Sequence, residues 1–98
     1  MEAPKFIGEF GDLNTPCGQS ATFTCDIVGL PTPQVSWFHN YREVYDGRKV
    51  AVRQEGTTYT LVIKDVDFKD AGDVECQAKN RYGSVNMRAK LNVLGKYF

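Results

Sequence analysis

The feature that most constrains this chain is a series of short runs in which apolar and polar residues alternate one by one. Successive side chains of a β-strand point to opposite faces, so strict alternation predicts a strand with one buried face. No segment of ten or more residues has a convincing helical period, and the pattern therefore predicts an all-β fold. The predicted inward residues are Ala21, Phe23 and Cys25; Val35 and Trp37; Tyr59, Leu61 and Ile63; Val74, Cys76 and Ala78; and Val85, Met87, Ala89, Leu91 and Val93.

Turn-forming residues separate these runs at near-regular intervals, which favours a sandwich or a barrel. They fall at residues 29–33, 46–47, 55–56, 70–72 and 80–83. Residues 80–83 predict a tight hairpin turn that joins the last two strands, with Gly83 at positive φ. Residues 65–70 break the alternation, and we expect a single helical turn there.

Length and charge limit what the chain can do. Its 98 residues suit one domain, so we expect a single unit over 1–98, with a core at about 4–94 and short joints at the ends. Twelve Lys and Arg balance twelve Asp and Glu. This balance gives no strong field to attract nucleic acid or an anionic membrane. No apolar run approaches the roughly 20 residues that span a bilayer.

The sequence offers no combination of residues suited to catalysis. His39 is the only histidine, and Ser36 lies three residues away on the same predicted strand, so the two side chains face opposite sides. Cys25 and Cys76 fall at predicted inward positions, where apolar surroundings raise the pKa of a thiol. We therefore expect a domain that is not an enzyme, and this expectation leaves open a kinase or other catalytic domain elsewhere in the parent chain.

Metal and cofactor sites are not indicated either. Three cysteines without a Cys-x-x-Cys pair, with one distant histidine, do not form a zinc site. Glycine-rich phosphate loops are absent, and the acidic residues of one corner lack the order of an EF-hand loop. We expect no cofactor and no metal, and we interpret this corner as a solvated acidic surface in which one Asp accepts hydrogen bonds from backbone N–H groups. The members of this corner are Asp65, Asp67, Asp70, Asp73 and Glu75. A weak cadherin-like calcium site is the alternative that stays open.

Three residues identify a fold. Cys25 on one strand, Trp37 on the next and Cys76 near the end have the spacing of immunoglobulin domains, in which two sulfurs meet between the sheets beside the indole. Further matches are Gly29-x-Pro31-x-Pro33, Asp70-x-Gly72-x-x-x-Cys76 and Asn80-x-x-Gly83. The chain resembles the I-set subclass, and within it the repeated domains of giant muscle proteins such as titin, twitchin and obscurin.

The resemblance implies a fold and a core. The fold is an immunoglobulin-like β-sandwich of two antiparallel sheets. One departure is Val74, which stands where the family usually has the tyrosine that ties its strand to the preceding corner. The implied core residues are Phe23, Cys25, Trp37, Leu61, Ile63, Cys76 and Leu91.

The resemblance also implies a role. It predicts a non-catalytic structural and protein-binding module of a multidomain muscle protein, located in the cytoplasm at the sarcomere or cytoskeleton. Its expected partners are neighbouring immunoglobulin or fibronectin type III domains and sarcomeric or cytoskeletal proteins, and the isolated domain is expected to be a monomer. The alternative is an extracellular adhesion or receptor domain, which an oxidised Cys25–Cys76 pair would suit. The odd count of three cysteines favours the intracellular role.

One outer sheet face is the better candidate for a partner. The sheet that contains the strands of Trp37, Cys76 and Leu91 places Phe38, Lys79 and Arg88 outward, and an aromatic residue beside cations is a common hot-spot arrangement. The opposite sheet shows mainly threonine hydroxyls.

The N-terminal segment is predicted to join both sheets. We expect residues near Phe6 and Ile7 to pair with the first sheet and residues 12–15 to run beside the last strand, so that the termini leave opposite ends of the sandwich. Cys17 is expected near an edge, partly exposed.

Overall fold

The computed structural model describes residues 1–8 and 10–95, and these form nine strands and one short 3-10 turn. The last three residues of the predicted C-terminal joint, 96–98, lie outside the described residues. The strands are β1 (Glu2–Ile7), β2 (Leu13–Pro16), β3 (Ala21–Leu30), β4 (Gln34–His39), β5 (Arg42–Val44), β6 (Val50–Glu55), β7 (Thr58–Ile63), β8 (Gly72–Asn80) and β9 (Gly83–Leu94). Within the described ranges, no helix is long and apolar enough to span a membrane.

The strands form two sheets, as the all-β sandwich prediction requires. One sheet has the order β1-β3-β7-β6 and the other has the order β2-β9-β8-β4-β5. Every pair is antiparallel except one, because β2 runs parallel to β9, with Leu13 opposite Leu91 and Pro16 opposite Leu94. The predicted sandwich of two antiparallel sheets is confirmed, with β2 as the one parallel addition. The parallel pair arises because the chain leaves the first sheet after β1 and joins the second sheet at β2.

The core lies between the sheets, and all seven residues that the resemblance places there are at most 5% exposed. Phe10, between β1 and β2, is also buried, although sequence alternation did not indicate it. Its ring centroid lies 5.6 Å from that of Phe23 in an edge-on arrangement and 5.7 Å from that of Trp37. Burying a large apolar side chain stabilises a fold by about 1.5–3 kcal/mol, so Phe10 is a full member of the core.

The β8–β9 hairpin confirms the predicted turn but corrects the role of its glycine. Asn80 pairs with Gly83 across a two-residue loop. The φ angle of Gly83 is not positive. A Cβ on Gly83 would lie 3.0 Å from the Cβ of Ala3, so the missing side chain lets the start of β1 approach the hairpin closely.

The predicted helical turn is present and shorter than expected. It covers Phe68–Asp70 rather than 65–70, because Asp67 is extended and acts as the N-cap. The Asp67 carboxylate accepts a hydrogen bond from Lys69 N (3.0 Å), and the Asp70 carboxylate accepts one from Asp67 N (2.9 Å). This reciprocal capping box fixes the corner that leads into β8.

Candidate functional site on the outer face of the five-stranded sheet

The outer face, by which we mean the solvent side of β4, β8 and β9, follows directly from the alternation of these strands. Their inward residues fill the core, so the intervening polar residues point to solvent. The outer-face residues of β8 and β9 are Asp73, Glu75, Gln77 and Lys79, and Ser84, Asn86, Arg88, Lys90 and Asn92.

The structure brings two of the three predicted contact residues together and leaves the third apart. Phe38 and Arg88 are the cross-strand partners of Glu75, one on each side of it. Lys79 is aligned instead with Gln34 and Ser84, four residues further along β8, which is about 13 Å at the usual strand rise. Phe38 is half-buried, while Lys79 and Arg88 are exposed. The three residues therefore share a face without forming one cluster.

Arg88 already has partners within the domain. Its guanidinium group lies 3.4 Å from Glu75 Oε1 and 5.3 Å from the centre of the Tyr41 ring. Glu75 also accepts a hydrogen bond from Asn86 Nδ2 (3.0 Å). Exposed ion pairs contribute about 0–1 kcal/mol each, so a partner could replace these contacts at little cost.

A second polar group lies next to Arg88 and centres on Asp73. The Tyr41 hydroxyl donates a hydrogen bond to Asp73 Oδ2 (2.7 Å), and Lys90 Nζ lies 2.7 Å from Asp73 Oδ1. These contacts with Lys90 and Tyr41 lower the pKa of Asp73. The Asp73 carboxylate in turn raises the pKa of Tyr41 and that of Lys90. Both contacts therefore persist at neutral pH, where Asp73 and Lys90 are charged and Tyr41 keeps its proton.

The turn between β4 and β5 holds the corner that precedes β8, an arrangement that the sequence interpretation missed. Asn40 has φ +50°, in the left-handed region that asparagine tolerates. Its side chain donates a hydrogen bond to Ala71 O (3.1 Å) and accepts one from Asp73 N (2.9 Å). His39 Nε2 donates to Asp70 O (2.7 Å). We call these contacts of His39 and Asn40 with residues 70–73 the corner clamp.

Gly72 is required by the corner clamp. It has φ +139°, a conformation that L side chains rarely adopt, and a Cβ here would overlap the Oδ1 of Asn40 and lie 2.7 Å from its Cγ. Val74, which occupies the position of the family's corner tyrosine, is fully buried. The corner clamp thus ties this corner to the rest of the domain by side chains of a different strand. The sequence signals for the corner clamp were Asn40, in the polar turn after β4, and the Asp70-x-Gly72 motif.

The cysteines are structural in this arrangement. Cys25 and Cys76 are buried free thiols, and Cys17 is partly exposed beside β9, where its backbone N donates to Leu94 O (2.8 Å). The hydrogen bond with Cys25 and burial both raise the pKa of Cys76 far above its ordinary value. The same hydrogen bond lowers the pKa of Cys25, so the rise expected for both thiols holds for Cys76 and is wrong for Cys25. A neutral buried thiol is a poor nucleophile.

Metal ligands are not grouped either. No cluster of three or more His, Cys, Asp or Glu suited to a metal occurs in residues 1–8 and 10–95. The acidic corner predicted from sequence is divided instead among separate contacts, such as Asp70 with Lys49 and Asp73 with Lys90.

Comparison with known protein families identifies the fold. The family model described as "Immunoglobulin I-set domain" matches residues 4–93. The chain belongs to the immunoglobulin I-set family. This I-set domain is also similar to a solved structure of titin M4, with a TM-score of 0.92 and 28% identity over 95% of this chain and 97% of that one.

Curated relatives of this I-set domain are large muscle proteins. Titin of Drosophila melanogaster is 40% identical over 95 residues, which cover 95% of this chain and a share that rounds to 0% of that protein. The muscle M-line assembly protein unc-89 of Caenorhabditis elegans is 32% identical over 91 residues, 92% of this chain and 1% of that protein. The chain therefore corresponds to a very small part of each of these relatives, and the extracellular alternative is not favoured by them.

Proposed function

We propose that this I-set domain is a non-catalytic link in a tandem array of a multidomain muscle protein, in the cytoplasm at the sarcomere or cytoskeleton. Its proposed partners are neighbouring immunoglobulin or fibronectin type III domains and sarcomeric or cytoskeletal proteins. The relationship to titin over 95% of the chain supports the muscle setting. A non-catalytic role is supported by the state of a possible nucleophile and a possible base. Cys76 is a buried neutral thiol, and His39 donates a hydrogen bond to a backbone carbonyl oxygen.

The parallel pairing of β2 with β9 is the single observation that supports a tension-bearing role for the domain in a tandem array. The domain is elongated, with extents of 53 × 23 × 22 Å. The N-terminal strand β1 begins beside the β8–β9 hairpin, where Asn80 Nδ2 donates to Glu2 O (2.8 Å), and β9 runs away from that hairpin to Leu94. Tension applied through the two ends would load the β2–β9 hydrogen bonds in shear, so that several bonds resist together.

A single-molecule pulling experiment tests this role. The Cys17 N–H points to β9, and backbone groups on one side of a strand recur every second residue, so the Thr15 N–H points to β9 as well. Thr15→Pro removes that donor, and we expect it to lower the unfolding force. The N–H of Asn14 points away from β9, but its side chain accepts a hydrogen bond from Asn92 Nδ2 on β9 (3.0 Å). Asn14→Pro is therefore the control for the proline ring, and Asn14→Ala measures the loss of that side-chain bond alone. Equal unfolding forces for the two proline variants would contradict shear loading of β2–β9.

For partner binding, we propose that a partner protein contacts the outer face at Phe38, Lys79 and Arg88. Their separation on the outer face suggests a test in two parts: Phe38→Ala with Arg88→Ala in one variant, and Lys79→Ala in another. We expect the double variant to lose binding to a sarcomeric extract and the single variant to lose less, with circular dichroism confirming the fold of each. Unchanged binding by the double variant would move the contact away from the outer face.

A further inference from the structure

The strand β6 is an edge of the four-stranded sheet, and in the described part of the chain only its first half is covered. The Val50 carbonyl oxygen accepts a hydrogen bond from Gly47 N (2.7 Å), and Val52 N donates to Asp46 Oδ1 (2.9 Å). Both groups point away from β7, so the preceding loop protects this part of the edge. The same alternation directs the N–H and C=O of Gln54 away from β7, beyond the residues that this loop covers.

A cleft opens between the two sheets directly beside this uncovered half. Its volume is about 250 Å³, and its lining includes Val35, Trp37, Val52 and Tyr59. Drug-sized ligand pockets have about 300–1,000 Å³, so this cleft suits one side chain better than a whole small molecule. Gln54 also lines two further surface cavities beside the β6–β7 hairpin.

Trp37 lines the cleft, and the polar atom of its ring lies in the protein interior. Its indole Nε1 is buried and has no hydrogen-bond partner in the part of the chain that the structure describes. Unpaired buried donors are uncommon and costly, so an acceptor at this position would be stabilising. Among residues 1–8 and 10–95, Arg53 is the one charged residue in the cleft lining. The site therefore combines an apolar slot, a cation and strand N–H and C=O groups that point away from β7.

We propose that the uncovered edge of β6 binds an extended peptide, which adds a strand beside Val52–Gln54 and inserts one apolar side chain into the cleft between the sheets. Main-chain hydrogen bonds to a sheet edge give affinity in this binding mode, and alternate side chains give specificity. An acidic residue next to the apolar one complements Arg53. This edge belongs to the four-stranded sheet, and the proposed contact at Phe38 and Arg88 lies on the five-stranded sheet. The two proposals therefore concern separate sites and can be tested independently.

The test uses synthetic peptides and the single tryptophan of the chain as reporter. The probe is the blocked peptide Thr-Val-Glu-Leu-Glu-Val-Thr, with comparison peptides in which alanine replaces the central leucine or lysine replaces both glutamates. We expect the first peptide to shift the Val52 and Gln54 amide resonances and the indole N–H resonance saturably. We expect the alanine and lysine peptides to bind at least about tenfold more weakly, or about 1.4 kcal/mol.

Two variants separate the edge from a general surface effect. Gln54→Pro removes the outward N–H together with the side chain, which lines the cleft and donates to Gly56 O (3.3 Å), so Gln54→Ala, which removes the side chain alone, is its control. An edge strand tolerates proline, and Gln54→Pro should weaken binding at least about tenfold relative to Gln54→Ala. Arg53→Glu should reverse the preference between the glutamate and lysine peptides, whereas Arg81→Glu, in the β8–β9 turn, is the charge-matched control and should not. The proposal is overturned if no peptide gives saturable shifts at about 1 mM, or if the shifts map to β1, β2 or β5. Dimerisation of the protein through β6, seen by sedimentation, would also overturn it.

Discussion

The corner clamp makes a quantitative prediction about two residues that are far apart in sequence. In Gly72→Ala, the new Cβ occupies the place of the Asn40 side chain, so the variant loses the two Asn40 hydrogen bonds and also holds alanine at φ +139°. Two hydrogen bonds contribute about 1–3 kcal/mol together, and the strained backbone costs about 1–3 kcal/mol. We therefore expect Gly72→Ala to lower the free energy of unfolding by about 2–6 kcal/mol.

A double-mutant cycle separates these two costs. Asn40→Gly removes the same two hydrogen bonds without adding strain at φ +50°, so it should cost about 1–3 kcal/mol. The double variant should be about as stable as Gly72→Ala alone, because the hydrogen bonds can be lost only once. The coupling energy is then about 1–3 kcal/mol, measurable by urea unfolding followed through Trp37 fluorescence. Strictly additive losses would show that Asn40 and Gly72 act separately and would refute the clamp.

Four other expectations concern stability and use chemical denaturation. Trp37→Ala should cost about 3–5 kcal/mol because it opens a cavity between the sheets, and a loss under about 1 kcal/mol would mean that the strand phase is wrong. Phe10→Ala should cost a similar amount, which would distinguish a core residue from a loop residue. Val74→Tyr should destabilise by about 1–3 kcal/mol, because Val74 is fully buried, and a gain in stability would show that the site has room for the ring. Burial alone would raise the pKa of Asp70, but hydrogen bonds from Lys49 and from the backbone outweigh it and lower that pKa, so its charge stabilises the fold above about pH 4. The loss caused by Asp70→Asn should therefore shrink as the pH falls further, and a loss that is constant from pH 7 to about pH 2 would contradict this.

The strands were predictable because a strand with one buried face alternates apolar and polar residues along the sequence. The alternation that includes Phe23, Leu61 and Leu91 has one phase only, since a shift by one residue would expose every one of these side chains. The Cys25, Trp37 and Cys76 spacing then selected one sandwich among the all-β folds. The prediction that residues 12–15 run beside the last strand is confirmed by the pairing of β2 with β9.

The features that were missed depend on contacts between irregular segments. Phe10 lies between strands, where no periodicity applies, so its burial depends on how the chain crosses from one sheet to the other. Asn40 binds a corner more than thirty residues away, and only its left-handed backbone gives a local signal. Gly83 was predicted to have a positive φ, but it is needed because the start of β1 approaches it closely. A sequence cannot distinguish these two reasons for a glycine.

The way in which β1 and β2 divide between the sheets affects how a repeat of this kind can be cut from a longer chain. A fragment that begins at Leu13 would lose β1, and the ten-residue strand β3 would then have an unpaired side. It would also lose the Phe10 ring from its place against Phe23 and Trp37. A long, exposed edge above an incomplete core is a template for pairing between molecules. Such a fragment should therefore aggregate during expression, whereas a fragment that begins before Glu2 keeps β1 paired with β3 and the Phe10 ring in the core.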